Sequence, residues 1–218
     1  MARRRVILAR HGETELNRLG IIQGSGVDPG LNAEGRAQAA ALFAAVGDDA
    51  GAVVTSGMAR AEETAQPFVE AGRPKRVDPR FREICWGVHE GLTATPDMRA
   101  RYAELMTAWD AGDLDARLVG AESARELGDR LWDAWRELVS TPSGSAAPDT
   151  TLVVMHGRAL RALACLVDGR PLRHMNDYPH ANAGYYVAER AGSADWRLAE
   201  RNVTRHLGAL SPVNPAAR

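Results

Sequence analysis

Cysteine is scarce in this 218-residue chain. Cys85 and Cys165 are its two examples, too few for a framework of several disulfides, so reduced thiols are the expectation. Long apolar runs are missing as well, and nothing approaches the ~20 residues that a membrane-spanning helix needs. The basic start Arg3-Arg4-Arg5 imitates the head of a signal peptide. The apolar stretch behind it, Val6 to Ala9, ends at Arg10 and is too short for a secretory core. A cytoplasmic location follows as the expectation. An excess of one charge is also absent: 27 basic residues meet 28 acidic ones, for a net charge of -1. Broad attraction to nucleic acid or to an anionic membrane is therefore not expected. The six histidines form no His-Glu-x-x-His pattern, no carboxylates are spaced for two metals, and no Walker-type loop occurs. Neither a metal nor a cofactor is expected, and no internal repeat is visible.

What is present is an ordinary globular composition, 45% hydrophobic and 25% charged, on a chain long enough for one full core. Three short apolar runs stand out: Val6-Ile7-Leu8-Ala9, Val53-Val54-Thr55-Ser56 and Leu152-Val153-Val154-Met155. Continuous runs of this kind suit strands buried on both faces of a parallel sheet. In such sheets the chemistry gathers beyond the carboxyl ends of the strands. There the first run meets Arg10-His11-Gly12, the third meets His156-Gly157-Arg158, and the second leads to Arg60 on the first turn of a helix. Parallel strands lie about 5 Å apart, so Arg10, His11, Arg60 and His156 can share one pocket. Gly12 is expected to let the backbone turn sharply and approach a ligand.

The rest of the chain alternates helix and strand. Leu16 to Gly30 reads as a loop. Asn32 caps a helix through Val46 with Ala39, Leu42, Phe43 and Val46 inward. Pro67 should kink the helix that holds Arg60 or begin a new turn, and Arg76-Val77-Asp78 forms a short strand. Thr95-Pro96 starts a helix whose stripe Met98, Tyr102, Leu105, Met106 and Trp109 is expected to pack on the core. Gly112 to Ala121 is a loop. Ser123 to Glu126 has capping-box spacing, ahead of an apolar face made of Leu127, Leu131, Ala134 and Leu138. Thr141 to Thr150 reads as a surface loop, and Arg158 to Val167 as a helix burying Leu160, Leu163, Ala164 and Val167. Gly184 to Ala188 and Trp196 to Glu200 look like a strand pair at the sheet edge. The expected architecture is an α/β fold, a three-layer αβα sandwich with a mostly parallel central sheet. One domain over residues 1–206 and a flexible tail over 207–218 complete the picture.

Four blocks in order carry a resemblance. Arg10-His11-Gly12-Glu13-Thr14, Ser56 to Ala65, Arg82 to Leu92 (Arg-Glu-Ile-Cys-Trp-Gly-Val-His-Glu-Gly-Leu) and Met155-His156-Gly157 resemble the signature blocks of the histidine phosphatase superfamily, in its phosphoglycerate-mutase-like branch. The resemblance spans about Arg5 to Val167. It implies a nucleophile at His11 that forms a phosphohistidine, with Arg10, Arg60 and His156 around the phosphoryl group. Arginine forks suit phosphate oxygens, and imidazole attacks only through an unprotonated nitrogen, so the opposite nitrogen must donate elsewhere.

The resemblance places the proton donor in the Arg82-Glu83-Ile84 block, hence Glu83, with Glu90 as its rival. The competing branch has an aspartate directly after the second histidine, where this chain has Gly157. Asn17 and Gln23 match polar positions that line the phosphate pocket in relatives, and Gly157 and His180 are assigned to substrate binding. Trp86, His89, Trp109, Tyr178 and Asn182 are further candidates for shaping recognition. Two departures stand out: Ala121 in Gly120-Ala121-Glu122-Ser123, where relatives carry a second glycine, and Met155, where they usually carry serine.

The expected activity is that of a metal-independent phosphomonoesterase acting on small phosphorylated metabolites, with a small phosphate ester as its partner. A cofactor-dependent phosphoglycerate mutase is the alternative, and a non-catalytic anion-binding or regulatory protein on the same fold is the second. The sequence leaves the oligomeric state open, a homodimer included.

Overall fold

In the computed structural model, which describes residues 3–140, 149–191 and 195–210, the chain runs β1 (Arg3–Arg10), α1 (Glu15–Arg18), α2 (Ala33–Val46), β2 (Ala52–Thr55), α3 (Ala59–Glu70), β3 (Lys75–Val77), α4 (Pro96–Ala111), α5 (Ala124–Ser140), β4 (Thr150–Met155), α6 (Gly157–Val167), β5 (Tyr185–Ala191) and β6 (Arg197–Val203). The strands form one sheet in the order β3-β2-β4-β1-β5-β6. Strands β1 to β4 pair in parallel, and the last two join antiparallel, β5 on β1 and β6 on β5.

The unbroken apolar runs now have their cause. Along β1, Val6 and Leu8 point into one core with Val153, Met155, Tyr186 and the inner faces of α4, α5 and α6. Ile7 and Ala9 point the other way, into a second core with Leu152, Val154, Leu42, Ala61 and Phe68. Side chains alternate across a strand, so a strand covered on both faces has no solvent side to carry polar residues. The result is the three-layer sandwich with a mostly parallel sheet.

Caps fall where their chemistry requires. The Asn32 side chain accepts from Gly35 N at 2.8 Å, and the Thr95 hydroxyl accepts from Met98 N. Ser123 and Glu126 form the reciprocal capping box at 3.2 and 2.9 Å.

Several local readings change. The stretch after Gly12 opens with the helical turn α1, fixed by its own box between Thr14 and Asn17, before it becomes a loop. Helix α3 continues through Pro67 to Glu70 as one element. Phe43 is half-buried rather than fully inward. The late strand pair is not confined to the edge, because β5 lies inside the sheet beside β1 and only β6 is at the rim. Thr150 already belongs to β4, and the rest of the expected loop, 141–148, lies outside the described residues apart from Asp149. At the other end Leu207 is buried, so packing extends past residue 206. Residues 211–218 of the expected tail lie outside the described residues.

Candidate active site

The register of β1 on β4 assembles the site. Arg10 is paired with Met155, and His11 N donates to Met155 O at 2.9 Å. The next residue on each strand is a histidine, so the His11 and His156 rings come to a centroid distance of 5.2 Å. Strand β2 ends beside them and delivers Ser56, followed by Arg60 on the first turn of α3. All of these groups are buried. Of these, Arg10, His11 and Arg60 line a cavity of about 450 Å³, together with Asn17, Gln23, Glu83, Gly157 and His180. The nine residues expected to act in catalysis or bind the phosphate ester thus all line this one space except His156, whereas Asn182, a candidate for shaping recognition, is buried outside it. The His156 ring lies beside that of His11, tilted by 52°.

Ring chemistry at His11 is fixed by a local bond. Its Nδ1 lies 2.7 Å from Gly12 O, an acceptor only, so Nδ1 carries the hydrogen and Nε2 keeps its lone pair. Burial first, then the charges of Arg60 and Arg10, holds this imidazole well below its ordinary range. It is neutral at physiological pH. His156 is neutral for the same reasons in the same order, burial and then Arg60. Arg60 Nε donates to His156 Nδ1 at 3.2 Å, and the opposite nitrogen lies 2.7 Å from Ser56 Oγ. Ser56 thus supplies the hydroxyl beside this histidine, and the Met155 side chain is simply core.

The two site arginines differ. Arg60 is bound on most sides: Nη1 donates to Val27 O and Asp28 Oδ1, and Nη2 to Gly24 O. These bonds tie the loop after α1 to the site. Arg10 donates through Nη1 to His180 O at 2.8 Å, while its buried Nε has no partner. Burial, and to a lesser degree Arg60 and Arg161, draws Arg10 down to about 10, still a cation at neutral pH. The buried Nε2 of Gln23 is likewise without a partner; its Oε1 accepts from Thr14 at 3.0 Å. A buried donor left unpaired costs about 1–3 kcal/mol. Two of them beside a cationic cluster describe a place made for an anion. Asn17 faces the cavity with its Oδ1 held by Asn182 Nδ2 at 3.1 Å.

Glu83 reaches the cavity from the loop between β3 and α4 and is held at the start of α6. Its Oε1 accepts from Ile84 N and Ala159 N, and its Oε2 from Arg158 N, each at 3.0 Å. These are orphan N–H groups of a helix N-terminus, and they fix the position of the carboxyl group. The rival Glu90 is turned away. Its two oxygens accept from Trp86 N and Gly26 N at 2.6 Å, so it staples loops and does not line the cavity. Arg130 fixes the Glu83 loop from behind by donating to the carbonyls of Arg80, Arg82 and Glu83 while paired with Glu122 at 2.6 Å. Glu122 thus anchors Arg130 against this loop, with Ala121 in place of the expected glycine.

Other expectations are corrected. Gly12 makes room for a helix rather than a ligand: a Cβ there would lie 2.4 Å from the Gly35 carbonyl oxygen of α2. Trp109 and Tyr178 are core residues, Tyr178 bonded to Asp168, and His89 is not in the lining. Trp86 and His180 are in the lining. The α4 stripe divides: Leu105 and Trp109 are core, but Met98 and Tyr102 wall the cavity. Sequence reasoning missed Arg158 and Arg161, which also line it. Their spacing on the first turns of α6 was the available signal, because residues three apart share a helix face.

Residues 6–204 match the histidine phosphatase superfamily (branch 1), and the chain belongs to that family. It is 37% identical over 171 residues to the probable phosphoglycerate mutase GpmB of Serratia proteamaculans, covering 76% of this chain and 75% of the relative. It is 31% identical over 173 residues to a 2,3-bisphosphoglycerate-dependent phosphoglycerate mutase of Brucella canis, covering 76% and 82%. Among solved structures, a mycobacterial glucosyl-3-phosphoglycerate phosphatase superposes with a TM-score of 0.79 at 29% identity, over 93% of this chain and all of that one. The relatives thus include both phosphoryl hydrolysis and phosphoryl transfer. No helix among the described residues is long and apolar enough to cross a membrane.

Proposed function

We propose that the chain is a metal-independent phosphomonoesterase of small phosphorylated metabolites, working through a phosphohistidine on His11. The observation that carries the reading is the Nδ1–Gly12 bond: it leaves Nε2 as the nucleophilic nitrogen of a neutral ring among fixed cations. The phosphoryl group would lie over His11 with its oxygens on Arg10, Arg60 and the unpaired Gln23 Nε2, charges and dipoles already in place before substrate arrives. His11 Nε2 bonds to phosphorus as the ester P–O bond breaks, and Glu83 gives its proton to the leaving oxygen. Glu83 then takes a proton from water, the water oxygen bonds to phosphorus and the N–P bond breaks. Inorganic phosphate leaves and both residues are restored.

A mutase reading is favoured by the names of the curated relatives. It uses the same first step but returns the phosphoryl group to a second hydroxyl, which requires water to be shut out. Release of inorganic phosphate from p-nitrophenyl phosphate in the presence of chelator, with native protein and His11→Ala in parallel, tests the proposal. Chelator-resistant release that the variant lacks is the expected result. Equal release by the variant overturns it. Isomerisation of phosphoglycerate without net phosphate release would point to the mutase.

A further inference from the structure

The phosphoryl end of the cavity does not account for its charge. Beyond Arg10 and Arg60, three more arginines line it, Arg99, Arg158 and Arg161, against a single carboxylate, Glu83. Among the described residues none of these three has an acidic side chain within ion-pair distance, although most surface arginines of this chain do.

Arg161 is the most exacting case. Its Nη2 donates to Asn176 O at 2.6 Å, while its Nε is buried with no partner. Arg158 beside it is clamped: Nη1 donates to Asn176 Oδ1 and Nη2 to the Tyr102 hydroxyl, with its guanidinium 5.9 and 5.7 Å from the Trp86 and Trp109 ring centroids. Like charge this close is costly in a buried setting. Burial and the Arg158 charge together draw Arg161 down to about 10. Two neighbouring guanidinium groups seated in one pocket wall with no acidic side chain in ion-pair contact, Asp110 acting on Arg161 only at longer range, make half of an ionic contact.

The geometry points to a substrate whose leaving group carries a second anionic group, a carboxylate or another phosphate, received by Arg161 with Arg158 and Arg99 around it. This inference rests on the phosphatase reading and narrows its substrate class. The phosphoryl group occupies the His11 end, and the second anion sits toward α4 and α6, with Trp86, Tyr102 and Met98 flanking the carbon skeleton between. An anion at Arg161 supplies the acceptor that Nε lacks and offsets the repulsion between the two guanidiniums. A neutral leaving group would do neither.

Two esters that differ only at the far end provide the test. In glycerol 3-phosphate the terminal group is a hydroxymethyl, and in 3-phosphoglycerate it is a carboxylate. Glycerol 1,3-bisphosphate distinguishes a phosphate preference from a carboxylate one. Phosphate release is measured for all three, with p-nitrophenyl phosphate as control, in native protein, Arg161→Gln and Arg158→Gln. At least one doubly anionic ester should exceed glycerol 3-phosphate in kcat/KM by about 30-fold or more. Arg161→Gln should reduce that ratio at least tenfold, chiefly through KM, and Arg158→Gln should lower it in the same direction. Turnover of p-nitrophenyl phosphate with equal kcat/KM for all three three-carbon esters would overturn this assignment and leave the phosphatase reading standing. An unchanged ratio in Arg161→Gln would overturn it too. Absence of release from every ester would remove the phosphatase reading itself.

Discussion

Arg60 Nε donates to His156 Nδ1 at 3.2 Å. A guanidinium can only donate, so Nδ1 must be the unprotonated nitrogen of that ring, and the hydrogen resides on Nε2, 2.7 Å from Ser56 Oγ. One contact thereby assigns a tautomer, explains why a charge beside His156 depresses its basicity and gives Ser56 a purpose. Loss of one such bond is worth about 0.5–1.5 kcal/mol. Ser56→Ala should therefore lower kcat/KM about two- to thirteenfold while the fold is retained, and Ser56→Thr should recover most of it. Steady-state kinetics on p-nitrophenyl phosphate with a circular-dichroism check would decide. Unchanged kinetics in the alanine variant would contradict the role given to Ser56.

Glu83→Gln keeps the size of the side chain and an oxygen able to accept from the start of α6, but it cannot give up a proton. General acid catalysis contributes roughly 10²–10⁴-fold. An alkyl phosphate, whose leaving oxygen needs that proton, should lose this much in its first step. A p-nitrophenyl ester should lose far less there. Single-turnover measurements on the two esters make the comparison. Equal losses on both would contradict proton donation by Glu83.

The buried histidines couple stability to pH. His11, His156 and His180 are all held below the ordinary imidazole range, burial being the largest cause in each case. The unfolded chain takes up their protons near pH 6.5 and the folded chain does not. Stability from this source is therefore complete above about pH 6.5 and falls as pH drops below it. Each group that stays neutral contributes roughly 1.4 kcal/mol per pH unit. Urea unfolding at pH 7.5 and 5.5 should give a markedly lower free energy at the acid end. A flat profile across that interval would contradict the burial of neutral rings.

Gly12→Ala separates two reasons for a glycine after the first histidine. The added Cβ would meet the Gly35 carbonyl oxygen at 2.4 Å and Gly35 Cα at 3.0 Å, backbone atoms that cannot swing aside. Overpacking of this kind costs about 1–3 kcal/mol. The midpoint of thermal unfolding should fall accordingly. An unchanged midpoint with weakened substrate binding would restore the ligand-approach explanation.

How much of this was legible beforehand depends on what each residue answers to. The sandwich was readable because Val6 to Ala9 and Leu152 to Met155 must be apolar throughout if both faces of a strand are covered. The meeting of His11 and His156 followed from two strand ends carrying the same pair of residues. Gly12 misled because the partner that needs its missing Cβ, Gly35, comes from another element and leaves no mark near position 12. The α4 stripe misled because periodicity marks one apolar face but not where along the helix the core stops and the cavity begins: Trp109 falls on one side of that line and Met98 on the other. Arg158 and Arg161 are not legible as pocket residues because helical spacing alone does not distinguish a charged face turned to water from one turned into a pocket.

A phosphohistidine on His11 is a covalent species that can be trapped. Native protein and Glu83→Gln are mixed with 32P-labelled p-nitrophenyl phosphate, whose leaving group needs no proton from Glu83, quenched in alkali within one turnover, digested and sequenced by mass spectrometry. An alkali-stable, acid-labile phosphoryl group is expected on the peptide containing Arg10-His11-Gly12, longer-lived in Glu83→Gln because no base activates water, and absent from His11→Ala. Ester turnover with no label on that peptide, or with label on another residue, would contradict a phosphohistidine on His11.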